Sequence, residues 1–563
     1  MVPVLIRPSS ATSAEQRSLW ACYGARQLLD MMGLSYGICA ADECAEADLV
    51  IDPARGQVCI RCTPCGEEHA GPIAPELRVE FQAEFAPDPA GLLGSYEGSL
   101  PVIGGMCALP AAGEYDCGRV WCARDMYTET GPLLRVEQGG EDGWRMTFGA
   151  PVFETVGLYL SRFSWDGNPG FTRFVRYVDV LWSQLEQRWG GVPVVSEYQA
   201  MFERLLRACY EKLGLPMATK WYHPAIDGRI RRNGLLLSHD VDSVYKTAEY
   251  RGRESQEGNA HWNFPKWQAL ESEYGLKSAF YLFSPSPEED YWLKQPAYLV
   301  SDPPVLAAAR ELAAKGWEIA PHELGFRGAE EVAAEVRHFT EVTGVVPPGT
   351  RNHHLKHTAD SLTHKAAAGL TYDSTWYAEQ VQSSFLCGAV LPYGPLDASA
   401  GEPVGLWEFA FVVEDGIVMS CYGLDTGRTT EGAVADGARI IDHSIALNGY
   451  ICLNWHQRTF DRMSTYDGAP ENWVGAYRGI IEYYQRNARD WWSPLPGELA
   501  EFWTRRQGVE IESFGGRVSV RNGGQRDAGD LVLCIHDPRV PGGRRLVSAP
   551  VTAGETLTVD LGG

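Results

Sequence analysis

The sequence predicts an α/β protein organised around an incomplete (β/α)7 barrel, with a mixed α/β domain before it and a small β-sandwich after it. Three observations carry this. From about residue 234 to 495, short apolar runs alternate with helical patterns, as repeated βα units do. The run Leu235-Leu236-Leu237 has the length and apolar character of a parallel strand buried on both faces. Polar residues also gather where these runs end: Asp240 and Asp242, then His322, then Arg351 and His353, then Asp373, then His456. In a barrel the carboxyl ends of the strands form one face, and sites are built there.

Taken in order, residues 1–150 read as the mixed α/β domain. Ser13-x-x-Gln16 is a capping box that opens a helix, and Met31-Met32-Gly33 closes it. Short strands follow near 49–51 and 58–61. Residues 151–233 form a helical lead-in and a linker. Phe174, Tyr177, Val178, Leu181 and Leu185 keep a helical period, as do Phe202, Leu205, Leu206, Cys209 and Leu213, and residues 220–232 read as the linker. The barrel, 234–495, has expected strands at 235–238, 278–283, 317–322, 349–353, 371–374, 406–413 and 450–456. Helices are expected between them at 304–315, which starts at Asp302-Pro303-Pro304 and stops at Gly316, and at 329–343. Residues 496–563 change character: after a helix at 498–506 come short alternating runs around Val509, Val518, Leu531 and Leu557, punctuated by Gly and Asn.

Composition narrows the partners. The chain has 563 residues, 45% hydrophobic and 22% charged, as an ordinary globular protein does. A formal net charge of −24 argues against nucleic acid or an anionic membrane as the main partner. No apolar stretch is long enough to span a bilayer, and Met-Val-Pro-Val-Leu-Ile-Arg at the start lacks the features of a signal peptide, so a cytoplasmic protein is expected. The 14 Cys are scattered, which fits free thiols in a reducing compartment. Cys59, Cys62 and Cys65 form the densest group; their CxxCxxC spacing could hold zinc or an iron–sulfur cluster, but the simpler reading is thiols on a strand and turn, since no second pair follows at zinc-finger spacing.

The centre of the reading is Ser238-His239-Asp240-Val241-Asp242. On an extended backbone Asp240 and Asp242 point to one side. Two such carboxylates repel unless a cation lies between them or one is protonated, so the pair suits a metal with one carboxylate left as a proton acceptor; an N-cap or Asx-turn aspartate is the other reading. His223, His261, His338 and His364 lack the strand-end placement and read as structural, and His239 reads as structural or as support for the ligands.

With these residues in view, the region resembles the NodB-homology polysaccharide deacetylases, carbohydrate esterase family 4, in the subgroup whose first motif reads His-Asp-Val-Asp. The further motifs are Trp317-Glu318-Ile319-Ala320-Pro321-His322, Arg351-Asn352-His353-His354-Leu355, Thr371-Tyr372-Asp373-Ser374-Thr375 and Leu453-Asn454-Trp455-His456. Two departures stand out. Val241 separates the first motif's aspartates, and Phe326 stands four after His322, where the family's second motif has another histidine. The resemblance then implies a divalent metal, zinc foremost, held by Asp242, His322 and His353; Asp240 and Asp242 can exchange roles, and His354 can replace His353. It implies Asp240 as general base, His456 as the acid that protonates the leaving amine, and Arg351 paired with Asp240 or Asp373 to set that carboxylate's charge and orientation. Trp376, Trp407 and Trp455 are candidates for stacking on a sugar, with packing at the barrel mouth as the alternative. The function implied is metal-dependent N-deacetylation of an N-acetylated carbohydrate. Hydrolysis of another C–N or ester bond, or carbohydrate binding by a degenerate barrel, are the competing expectations.

Overall fold

A computed structural model describes residues 193–212, 216–245, 259, 261–284, 298–323, 328–355, 357–358, 360–376, 383–385, 387–397, 402–419, 429–460, 473–514, 516–540 and 543–561. Before these it describes 4–6, 14–39, strand residues between 46 and 148, and 156, 157 and 160. The expected helical stripe at 174–185, the capping residue Ser13, Cys65 and Phe326 lie outside the described residues, as do the side chains of Cys59, Cys62 and His354. The first part of the chain contains helix α1 (Ala14–Met32) and a nine-stranded mixed sheet running from Val4–Ile6 to Gly143–Phe148. A second helix, α2 (Val194–Lys212), precedes β1 (Met217–Lys220).

The barrel follows. Its elements are β2 (Asn233–Asp240), α3 (Phe264–Glu273), β3 (Ala279–Leu282), α4 (Pro303–Ala314), β4 (Glu318–Glu323), α5 (Ala329–Thr343), β5 (Gly349–Asn352), α6 (Ser361–Ala367), β6 (Tyr372–Asp373), β7 (Trp407–Glu408), β8 (Val413–Glu414), α7 (Asp415–Val418), α8 (Thr430–Ala446), β9 (Tyr450–Asn454), α9 (Trp473–Asn487) and β10 (Trp491–Trp492). The sheet order is β7-β6-β5-β4-β3-β2-β9-β8, with β10 beside β2, and every pairing is parallel. This is an incomplete (β/α) barrel. All eight residues of β2 are buried, as its unbroken apolar run requires of a central strand covered on both faces. Helix α5 stops where expected because Gly344 takes the left-handed conformation, φ 81°, and its N–H bonds back to the Thr340 carbonyl.

One expected strand divides. The run 406–413 looks continuous and apolar, but β7 pairs with β6 at one edge of the sheet while β8 pairs with β9 at the other. Phe409-Ala410-Phe411-Val412 therefore bridges the gap between the two edges, with Phe409 N–H donating to the Asp373 carbonyl and Val412 N–H to that of Cys452. A bridging segment packed inside a barrel mouth is as apolar as a buried strand, so hydrophobicity cannot separate the two.

After helix α10 (Pro496–Gln507) the tail forms β11 (Val509–Phe514), β12 (Arg517–Asn522), β13 (Val532–His536), β14 (Arg544–Ser548) and β15 (Thr556–Asp560). They make two three-stranded sheets, β11-β12-β15 and β1-β13-β14, around a small separate apolar core. Strand β1 belongs to the segment read as lead-in and linker, and it pairs antiparallel with β13 from Met217↔His536 to Lys220↔Leu533. Arg506 of α10 ties the same junction together: its guanidinium donates to the carbonyls of Asp30, Met31, Lys220 and Trp221. Gly33 is required there, because a Cβ on it would stand 2.2 Å from the Lys220 carbonyl oxygen. Among the described residues no helix is long and apolar enough to cross a membrane.

Candidate active site

Strand β2 delivers the two aspartates. Its end is fixed by Val241, whose N–H donates to the Tyr281 carbonyl and whose own carbonyl accepts from the Tyr298 hydroxyl. With Val241 buried, Asp240 and Asp242 flank it and face the site.

Asp242 is the hub. Its Oδ1 lies 3.3 Å from His322 Nε2 and 3.6 Å from His353 Nε2; its Oδ2 lies 3.4 Å from His456 Nε2 and 3.1 Å from Arg458 Nη1. Burial on its own would raise this carboxyl, but Arg458 and His456, with His322 and His353, hold it well below the usual carboxylate range. His322 comes from the end of β4 and His353 from the short helical turn after β5. The ring of His322 is oriented by Nδ1 donating to the Arg351 carbonyl at 2.9 Å, which turns Nε2 toward Asp242. Phe283 stacks on His322 and meets His353 edge-on, closing the apolar side.

These three residues fit a divalent cation. Their donor atoms all lie within 4.8 Å of one another. Ligands about 2.0–2.1 Å from a tetrahedral zinc stand about 3.3–3.4 Å apart, and the two Asp242–His separations bracket that spacing closely. Two imidazoles and one carboxylate are a borderline-soft donor set of the catalytic kind, three protein ligands with a coordination position left over.

Asp240 shares the site but has its own partners. Of the two carboxylates expected as partners for Arg351, it is the one that takes the guanidinium: Arg351 Nη1 donates to Asp240 Oδ1 at 2.8 Å, and Asn454 Nδ2 donates to Oδ2 at 2.9 Å. Arg351 is fully buried; it also donates to Asn454 Oδ1 and to the carbonyl and hydroxyl of Ser374. Its guanidinium is sandwiched between the rings of Tyr281, at 4.5 Å, and Phe411 of the bridging segment, at 4.4 Å. Burial pushes the Asp240 carboxyl up, and Arg351, helped by His322 and His456, brings it below its ordinary value.

His456 stands at the end of β9. Its Nδ1 donates to Asp415 Oδ1 at 2.7 Å, and its backbone N–H donates to Asp415 Oδ2. Burial would lower this imidazole, but Asp415 and Asp242 carry it up to about 10. The completely buried Asp415 is held in turn by the Thr459 hydroxyl and the Gly416 N–H.

Some expectations need correcting. Asp373 does not pair with Arg351: it is fully buried against the Lys365 ammonium and accepts from the Thr375 hydroxyl and N–H. Lys365, from α6, lies eight residues away in sequence, too plain a lysine in a helix to announce the pairing. The stacking surface expected of Trp376, Trp407 and Trp455 is absent. Trp455 has no exposed surface and packs on Tyr477, Trp407 packs on Trp503 and donates to Thr504, and Trp376 is buried beside Tyr393. A ring with both faces covered offers none to a sugar. His239 is structural: its nitrogens face the Trp455 carbonyl and Glu271, among the rings of Trp267, Phe280 and Tyr477. Sequence reasoning missed Asp415, Asn454 and Arg458. Asp415 directly follows a strand as other site residues do, and that signal was available two residues beyond the divided run.

No protein-family model matches the chain, and no curated protein matches it. Solved structures do. A crystal structure of Puue allantoinase is 14% identical with a TM-score of 0.34, covering 50% of this chain and 93% of its own. A family 4 acetyl xylan esterase from Clostridium thermocellum, solved with cobalt, is 10% identical with a TM-score of 0.25, covering 47% and 89%. A CE4 family pseudoenzyme from Bacillus anthracis is 9% identical with a TM-score of 0.25, covering 47% and 64%. Each overlaps about half of this chain, and what the site can do follows from its own residues.

Proposed function

We propose that this chain is a metal-dependent hydrolase that removes an N-acetyl group from an N-acetylated carbohydrate. The observation that carries the proposal is the meeting of Asp242, His322 and His353, from three strand ends, beside a clamped carboxylate and an aspartate-backed histidine. Asp242, His322 and His353 would hold the cation, zinc foremost. Bound there, it would supply Lewis acidity and lower the pKa of a water.

The remaining steps belong to the chain. Asp240, kept ionised by Arg351 and Asn454, accepts the proton of the attacking water. His456 keeps a proton at neutral pH and gives it to the leaving nitrogen, which otherwise departs badly. Asp415 positions that ring, so that Nδ1 faces away from the substrate and Nε2 faces Asp242 and the reacting centre.

Acetate release from N-acetylated sugars is the direct test. Stripping divalent ions with a chelator should abolish it, and zinc or cobalt should restore it; turnover that survives stripping would exclude the proposal. The pH profile offers a second check. The acid works while His456 is protonated, so its contribution is present at neutral pH and is lost as pH rises through its pKa, which sets the alkaline limb. Asp415→Asn removes the anion that raises that pKa. The alkaline limb of kcat/KM should therefore move down by about one to three pH units, with the acidic limb unmoved.

A further inference from the structure

We propose that His239 is a positioning residue for the general acid: its side chain clamps the peptide from which His456 leaves β9, and so couples the strand that carries Asp240 to the acid opposite. The inference rests on the hydrolase reading above, in which His456 is the acid.

The ladder of β9 ends at Asn454 on both flanks, paired with Ser238 on one side and Glu414 on the other. The Trp455 N–H still donates to the Ser238 carbonyl at 2.9 Å. The next peptide unit, between Trp455 and His456, takes its bonds from side chains instead. His239 Nδ1 donates to its carbonyl at 2.7 Å, and its N–H donates to Asp415 Oδ2 at 2.9 Å. Both clamping residues are completely buried. A planar peptide held at both poles fixes the direction in which the His456 side chain departs.

His239 is itself held. A carbonyl only accepts, so Nδ1 carries a proton, while Nε2 meets Glu271 Oε1 at 2.9 Å. Glu271 is also wholly buried, and it accepts from the Ser278 hydroxyl, the Trp317 indole N–H and the Tyr477 hydroxyl as well. The imidazole lies among the rings of Trp267, Phe280 and Tyr477, with centroids 4.4, 4.6 and 6.1 Å away. An apolar residue would fill the same volume without a buried carboxylate behind it. What the imidazole adds is the bond to the Trp455 carbonyl. That bond lies one residue from the base on β2 and one residue from the acid after β9, so a single side chain sets one against the other. His239 acts through the backbone and not on the reacting atoms.

Two substitutions in the full, zinc-loaded chain separate the two ends of the ring. His239→Asn places an amide N–H where Nδ1 stood and lets go of Glu271; His239→Gln reaches Glu271 and lets go of the carbonyl. On an N-acetylglucosamine oligomer, His239→Gln should lower kcat about ten- to a hundredfold with KM and zinc affinity within about twofold of wild type. His239→Asn should keep most of the rate, whichever variant melts lower. Rates that follow the melting temperature instead overturn the inference. An activated ester gives a second readout. The phenolate of para-nitrophenyl acetate leaves without a proton, so His239→Gln should slow its hydrolysis by no more than about twofold; equal losses on amide and ester overturn the inference. A third readout needs no turnover. With isotope-labelled histidine, the ring signals of His456, assigned by their loss in His456→Gln, should move in His239→Gln and stay in His239→Asn, with those of His322 and His353 unmoved. A His456 signal unmoved by His239→Gln overturns the inference. If that signal moves as expected but no N-acetylated sugar is hydrolysed, the clamp stands and the hydrolase reading falls. If the sugar is hydrolysed and both variants match wild type, the reverse holds.

Discussion

Asp242→Ala is expected to remove cation binding and hydrolysis together while leaving the fold intact. Asp242 is the one carboxylate of the proposed three-ligand set, and both of its oxygens are in use: His322 and His353 meet one, His456 and Arg458 the other. Without it, two imidazoles remain as ligands, beside two further cationic groups that repel a metal. Altering groups that merely support metal ligands costs about ten- to a hundredfold, so losing the ligand should cost at least about a hundredfold in zinc affinity, with acetate release falling to background. The fold should survive, because Asp242 lies beyond the end of β2, 14% of its side chain is exposed and the barrel core does not depend on it. Elemental analysis, the acetate assay and a melting curve on one preparation check all three. Stoichiometric zinc or undiminished turnover in the variant would sink the assignment of these ligands.

Arg351→Leu should have the opposite signature and damage stability as well as activity. The guanidinium is wholly buried between Tyr281 and Phe411 and joins β2, β5 and β9 with the residue after β6, through Asp240, Asn454 and Ser374. Leucine leaves Asp240 as a buried charge with Asn454 as its remaining hydrogen-bond donor among the described residues, and strands the Ser374 carbonyl. Breaking a buried pair from one side costs about 3–5 kcal/mol, which urea unfolding should report as a lowered midpoint. Lysine should rescue little, since one ammonium cannot reach acceptors on several sides or lie flat between two rings. The loss also bears on pH. Asp240 has a lowered carboxyl pKa, so the stability it contributes is present above the unfolded value near 3.9 and fades as pH falls through the folded one. Without Arg351 that contribution should shrink, and the gap between wild type and variant should narrow in acid.

The residues that sequence could reveal are those for which position along the chain is itself the message. Asp242, His322, Arg351 and His353 each lie at or just after the end of a strand, and parallel strands put their ends on one face, so the neighbourhood follows from the order. Asp415 obeys the same logic, yet the segment before it spans from one sheet edge to the other and reads as a single strand, which misplaced the strand end. Lys365 against Asp373 was hidden for another reason: a lysine in an amphipathic helix normally faces water, and only packing shows this one turned inward. The tryptophans misled because abundance and nearness to a motif say nothing about which face of a ring is open. Met217-Ala218-Thr219-Lys220 has no alternation to mark it as a strand, and its partner lies far off in sequence.

That last pairing governs how the chain must be made. Thr219 donates its hydroxyl to the Cys534 carbonyl, 315 residues away. At about 5–20 residues per second, a ribosome takes about 15–60 s to produce that length. Throughout this interval Met217–Lys220 has been synthesised and its mate has not. The barrel can assemble meanwhile, but the clasp closes only after β13 has emerged. A message truncated before codon 532 would therefore yield a molecule with a bare edge at the front and nothing to cover it.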